Sequence, residues 1–150
     1  MFFCLGIILC FFLSLGSLQP CVAQQNNLFC PPFDFALYLS GNFGELRSNH
    51  FHSGIDFKTQ GVSGKPIRCV ADGYICRAKV QTGGYGQALY VMHDNGYMTV
   101  YGHLDKFPEG IASRVRSCQY ENETFVVDIE FGPTEFRVGK GELLAYAGNT

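Results

Sequence analysis

The stretch Asn49-His50-Phe51-His52-Ser53-Gly54-Ile55-Asp56-Phe57 sets a histidine and an aspartate four positions apart across a glycine. Both side chains are ordinary zinc ligands, and a catalytic zinc takes about three protein ligands with water in the remaining position. In a straight strand, residues four apart lie roughly 13 Å from each other, too far to share one ion. A helix would bring them together, but Ser53-Gly54-Ile55 forms helix poorly. A chain bent near Gly54 meets the requirement, because glycine tolerates the dihedrals of a bend. Taken alone, such a pattern is more often an aspartate that caps a turn and a histidine that packs.

The run from Tyr97 to Leu104 adds a third candidate. Alternation places Tyr97, Thr99, Tyr101 and His103 on one face, with Met98, Val100 and Leu104 on the other, the face suited to a core. His103 is then free to line a groove, as a general base or as a donor to a developing oxyanion. The plain alternative is an ordinary exposed histidine. His93 sits beside a hairpin turn, structural or solvated, and His50 is placed to support His52 through a hydrogen bond from behind.

These residues must be positioned by a small number of elements. A chain of 150 residues is enough for one domain. A formal net charge of −2 gives no basic patch and no argument for nucleic acid. Every charged side chain lies at Asp34 or later. Phe2 to Leu18 is a nearly unbroken apolar run, followed by Cys21-Val22-Ala23, a small-x-small pattern like a signal-peptidase site. The run is short for a membrane span and lacks stop-transfer charges. It lacks a basic n-region too, so an uncleaved anchor is the alternative. A lipoprotein site at Cys21 fits poorly, since Gln19 and Pro20 stand where small residues are expected. The expectation is a signal peptide over 1–23, a lead-in over 24–34 and one domain over 35–150. The protein would be exported, periplasmic or extracellular, with no stable membrane span after cleavage.

The mature part keeps Cys30, Cys69, Cys76 and Cys118. Asp72-Gly73 is a two-residue hairpin signal, and a hairpin centred there sets Cys69 opposite Cys76, close enough for a disulfide. Two buried thiols are the alternative. Pro66 to Val70 and Tyr74 to Val80 flank that turn. Ala88 to His93 and Tyr97 to Leu104 flank a second signal, Asp94-Asn95-Gly96. Thr124 to Phe131 alternates again, and only Pro108 to Gln119 suits a helix. Short strands with tight turns predict an antiparallel all-β domain. The glycine-rich loop Gln81 to Gly86 lacks the Lys-Ser/Thr of a phosphate-binding loop.

Read in order, Asn49 to Asp56, Ala71-Asp72-Gly73, Gly84-Tyr85-Gly86, Asp94-Asn95-Gly96-Tyr97, Tyr101-Gly102-His103-Leu104 and Val138 to Thr150 resemble the lysostaphin-type zinc metallopeptidases, over roughly residues 35–150. That family cuts peptides of bacterial peptidoglycan. The resemblance implies an antiparallel β-sheet domain with a narrow active-site groove, of the duplicated hybrid motif type. It also implies Zn2+ as cofactor, with His52 and Asp56 as its first two ligands, and His103 as the histidine that assists catalysis without binding metal. Tyr85 and Tyr101 are candidate groove-lining aromatics. Arg47 and Asn49 are candidates to position substrate or to brace the metal loop.

Two departures follow. In the family, a His-x-His motif after the Gly-x-Thr-Gly segment supplies the third ligand and a catalytic histidine. No histidine follows His103 here. The expectation is therefore a C-terminally truncated form, without its third ligand and last strands and inactive by itself. The segment from Asp105 to Arg137 is also longer than in many members, so it either walls the groove or decorates the sheet edge. The alternative to an enzyme is a degenerate, non-catalytic domain that binds cell wall or activates a partner hydrolase. A plain exported β-domain with structural histidines is a further reading. A sugar-binding domain is weaker, since the chain has no tryptophan to stack on sugar rings.

Overall fold

The computed structural model describes residues 28–148. The expected signal peptide, Cys4, Cys10, Cys21, the first part of the lead-in and Asn149-Thr150 lie outside the described residues. Ten strands and one helix make up the described chain, and every strand pair is antiparallel. β1 (Leu39–Gly41) and β2 (Asp56–Phe57) form a two-stranded ribbon. β3 (Lys65–Arg68), β7 (Leu104–Lys106) and β10 (Leu143–Ala147) form a three-stranded sheet with β10 in the middle. β4 (Gly73–Val80), β5 (Gln87–His93), β6 (Met98–Tyr101) and β8 (Val127–Glu130) form the larger sheet in the order β6-β5-β4-β8, and β9 (Arg137–Val138) also pairs with β4. The all-β, antiparallel architecture is the one the turn-and-strand pattern predicts. Among the described residues no helix is long and apolar enough to cross a membrane.

One core joins both sheets, with Ile67, Leu104 and Leu144 from the smaller and Ile75, Leu89 and Val91 from the larger. The lead-in contributes too. Cys30 N–H donates to Val70 O, Arg68 N–H donates to Pro32 O, and buried Phe33 stacks on Phe35 and meets the edge of Phe57.

The Asp94-Asn95-Gly96 turn forms as expected. Met92 pairs with Met98, Gly96 takes φ +85°, and Asn95 Oδ1 accepts the Tyr97 N–H. The Asp72-Gly73 hairpin does not form. β3 pairs with β10, while β4 departs into the other sheet, so Asp72-Gly73 is a crossing between sheets. The glycine is needed there for close approach, since a Cβ on Gly73 would lie 2.3 Å from Met92 O. Asp72 instead accepts the Lys140 N–H. Cys69 and Cys76 are therefore not cross-strand neighbours, and all four described cysteines are free thiols. Buried Cys69 donates to Ala71 O and Cys76 donates to Tyr90 O. Loss of water pushes both thiols up in pKa.

The face assignment of β6 is also reversed. Met98 and Val100 face solvent, while Thr99 and Tyr101 face inward. Thr99 is held by buried His93, and the Tyr101 ring packs on the core. Alternation fails because Tyr101 and Leu104 belong to different sheets, with Gly102-His103 crossing between them.

The long segment after β7 is part of the packed domain. In α1 (Glu109–Glu121), Ile111, Val115 and Cys118 recur at helical spacing, the first two in the core and the third packed against it. Glu109 in its first turn suits the positive end of the helix dipole. β8 then extends the sheet on the side of β4 away from β5, with an Arg77–Asp128 ion pair across the strands. This places β8 at the sheet edge opposite β6. Ile111→Ala is expected to cost about 2–5 kcal/mol in a urea titration, the penalty for emptying a core site. Tyr120→Ala, at a residue 83% exposed on the same helix, is expected to stay within about 0.5 kcal/mol. Equal effects would mean that the helix does not dock as described.

Candidate active site

The loop from Asn42 to Ile55 leaves β1 and returns to β2, and backbone hydrogen bonds fold it on itself. Gly44 N–H donates to His52 O at 2.7 Å, His52 N–H to Glu45 O at 2.8 Å, and Arg47 N–H to His50 O at 2.9 Å. Leu46 bridges Phe51 across this small hairpin, and Gly44 takes the left-handed φ of +75° that its turn requires. The chain then bends through Ser53-Gly54-Ile55, and Asp56 pairs with Gly41. As a result His52 Nε2 lies 3.3 Å from Asp56 Oδ1.

That pair fits a divalent cation. A carbonyl can only accept, so the 2.9 Å contact between His52 Nδ1 and Asn42 O puts the ring proton on Nδ1. Arg47 Nη2 is 3.4 Å from the same Nδ1, but a guanidinium only donates, so the shorter carbonyl contact sets the tautomer. Nε2 then turns a lone pair toward a carboxylate oxygen, and two acceptors this close call for a proton or a cation between them. Tetrahedral bonds of about 2.0–2.1 Å place neighbouring ligand atoms roughly 3.3–3.5 Å apart. A histidine whose other nitrogen donates to a carbonyl is also the usual arrangement behind a metal. Among the described residues no third His, Cys, Asp or Glu joins the pair.

His103 reaches this region by another route. It is exposed and occupies the crossing from β6 to β7 with φ +53°, a left-handed conformation uncommon for a side chain larger than glycine. Two bonds hold it there, its N–H to Tyr85 O at 2.8 Å and its carbonyl accepting Gly148 N–H at 2.9 Å. The Tyr85 ring lies against Gly102, where a Cβ would be 3.0 Å from Tyr85 Cδ1. The Tyr85 hydroxyl is 3.2 Å from Ser53 Oγ, inside the His52–Asp56 bend. Tyr85 thus ties the crossing that carries His103 to the loop that carries His52 and Asp56.

Other candidates sit elsewhere. The Tyr101 ring packs on the core rather than lining a groove, its oxygen accepts the Val70 N–H, and burial pushes its phenol up to about 12. His50 contacts Asn49 Oδ1 at 2.6 Å at the exposed tip of the turn and does not support His52. His93 is 2% exposed and structural, bound to Ala71 O and Thr99. Arg47 is engaged by Asp56 Oδ2 at 2.9 Å and Glu45 Oε2 at 3.1 Å. Sequence reasoning missed Gly41, Asn42 and Ser53. Asn42 acts through its main-chain carbonyl, for which a side-chain pattern carries no signal. Ser53 stands inside the motif and was readable only as a poor helix former.

Residues 50–119 match the sequence model of Peptidase family M23, a span that includes His52, Asp56, Tyr85 and His103. A DD-carboxypeptidase/endopeptidase Mpg of Neisseria meningitidis is 41% identical over 64 residues, covering 43% of this chain and 14% of that protein. The protein of the same name from Neisseria gonorrhoeae is equally similar. An uncharacterized metalloprotease of Haemophilus influenzae is 32% identical over 99 residues, covering 66% of this chain and 16% of that protein. The chain spans about a seventh of the length of these relatives.

The backbone at His103 gives a test independent of chemistry. His103→Gly is expected to be more stable than His103→Ala by about 1 kcal/mol in chemical denaturation, because only glycine takes a positive φ without strain. The reverse order, as in an ordinary strand, would rule out the left-handed crossing.

Proposed function

We propose, for a chain whose residues 50–119 match Peptidase family M23, that the intact protein is an exported zinc metalloendopeptidase cleaving peptide bonds of bacterial peptidoglycan. The observation that carries the reading is the convergence of His52 Nε2 and Asp56 Oδ1 at 3.3 Å with the histidine tautomer set from behind. These two residues would hold zinc, which when bound supplies Lewis acidity and lowers the pKa of a bound water toward about 7. His103 donates a hydrogen bond to the oxyanion that forms on the scissile carbonyl, or moves the proton to the leaving amine. Its crossing, held by Tyr85 and Gly148, fixes where that imidazole stands. Tyr85 is half exposed and can lie along a substrate chain while its hydroxyl holds Ser53. Asn49, at the open tip of the turn, is placed to meet substrate, whereas the Arg47 guanidinium is already taken.

Export rests on the apolar run Phe2 to Leu18 followed by Cys21-Val22-Ala23, with residues 1–23 as signal peptide and 24–34 leading into the domain. A second reading keeps the His52–Asp56 pair and the exposed loop around it as a binding feature rather than a catalytic one. In that reading the domain binds cell wall, or activates a partner hydrolase, without cutting.

Incubating the intact protein with purified peptidoglycan, with and without a chelator, separates the two. New peptide products that vanish with chelator are expected, with His103→Ala lowering kcat by about 10²–10⁴ at unchanged zinc content. His52→Ala and Asp56→Ala are expected to lose the metal itself. Identical product profiles with and without chelator, alongside retained binding to cell wall, would favour the non-catalytic reading.

A further inference from the structure

The Arg47 guanidinium is placed for a task other than substrate binding. Its Nη2 lies 2.9 Å from Asp56 Oδ2, and the other oxygen of the same carboxylate, Oδ1, faces His52 Nε2 at 3.3 Å. Glu45 Oε2 holds the guanidinium from another side at 3.1 Å. The space for this contact exists because Gly41, the strand partner of Asp56, has no side chain. A Cβ there would lie 2.5 Å from both Arg47 Nη2 and Asp56 Oδ2. Both atoms are ends of side chains, so the backbone keeps its course and the pair itself must give way.

We propose that Arg47 is a positioning residue for Asp56, occupying Oδ2 so that the carboxylate offers only Oδ1 to a cation shared with His52. The inference rests on the metal-binding reading of this site. The pair is more than a third exposed, and such ion pairs add little to folding. What the guanidinium changes is the number of carboxylate oxygens available. With Oδ2 held, the carboxylate takes one coordination position and leaves the others to further ligands and water. Released, it can turn and bind through both oxygens, or swing toward solvent. Gly41 belongs to the same device, since a side chain there pushes the guanidinium off the carboxylate.

The test uses the intact protein and Co(II) as a spectroscopic probe, with zinc displacing it in competition with a chromogenic chelator. Arg47→Gln and Gly41→Ala are expected to weaken metal binding about ten- to a hundredfold. Their visible Co(II) bands should also weaken as the carboxylate takes a second position. Arg47→Lys, which keeps a cationic donor, should fall between these and the unsubstituted protein. Metal-free Arg47→Gln should melt at the unsubstituted temperature, which a merely structural role would not allow. Metal binding and spectra unchanged in Arg47→Gln would overturn this inference and leave the zinc site standing. No Co(II) uptake by the unsubstituted protein would overturn both.

Discussion

The pairing of Asp56 with Gly41 is the constraint on which the candidate site depends. It closes the loop that leaves β1 and returns at β2, and so fixes the direction from which the carboxylate emerges. The hydrogen bonds of Gly44 and Glu45 with His52 set the other end. Between these anchors a stretch that would extend over roughly 13 Å as a strand is bent until its two polar ends nearly touch. The bend is held mostly by backbone groups, since the apolar side chains of the loop, Phe43, Leu46, Phe51 and Ile55, stay exposed. Its link to the core is Phe57, which follows Asp56 and packs edge-on against Phe33 of the lead-in.

His103 is held by a different kind of constraint. It occupies the second position of a two-residue crossing between sheets, and the crossing needs a left-handed residue. Proteins usually place glycine or asparagine in such a position. A histidine kept there carries strain, and the hydrogen bonds to Tyr85 and from Gly148 hold it against that strain. Gly102 next to it lets the Tyr85 ring approach, and the ring's hydroxyl reaches Ser53 in the loop. The two halves of the site are joined by one aromatic side chain at the end of a glycine-rich turn.

Local patterns were readable where one element decides the outcome. Asp94-Asn95-Gly96 joins strands of the same sheet, so turn chemistry alone predicts it. The apolar spacing of α1 is likewise a property of one helix. Asp72-Gly73 carries a similar signal, yet the strands on either side bond to different partners, β10 and β5. Turn residues announce a change of direction, not which strand waits beyond it. The same limit applies to Tyr101 and the outward face of β6, because the Gly102-His103 crossing resets the alternation before Leu104. In the site, the His52–Asp56 spacing suggested a bend, whereas Asn42 entered only through a carbonyl that any residue would provide.

The division of strength within the molecule follows from these placements. Apart from Cys69, just past β3, the fully buried side chains lie on the two sheets and on α1, and that helix and β8 extend the packed body on the side away from β6. The loop carrying His52 and Asp56 contributes little buried apolar surface and relies on hydrogen bonds that water can contest, which puts it at the less stable end of the fold. His103 lies on the other side of that division, at a junction whose flanking strands both enter the core. A cation between His52 and Asp56 would cross-link the softer half, removing freedom from the segment with the most to lose. Metal binding and ordering of the loop would then be one event, with Arg47 narrowing the carboxylate orientations in advance. The exposed apolar residues of the loop stay outside that economy of contacts, beside the site and open to solvent.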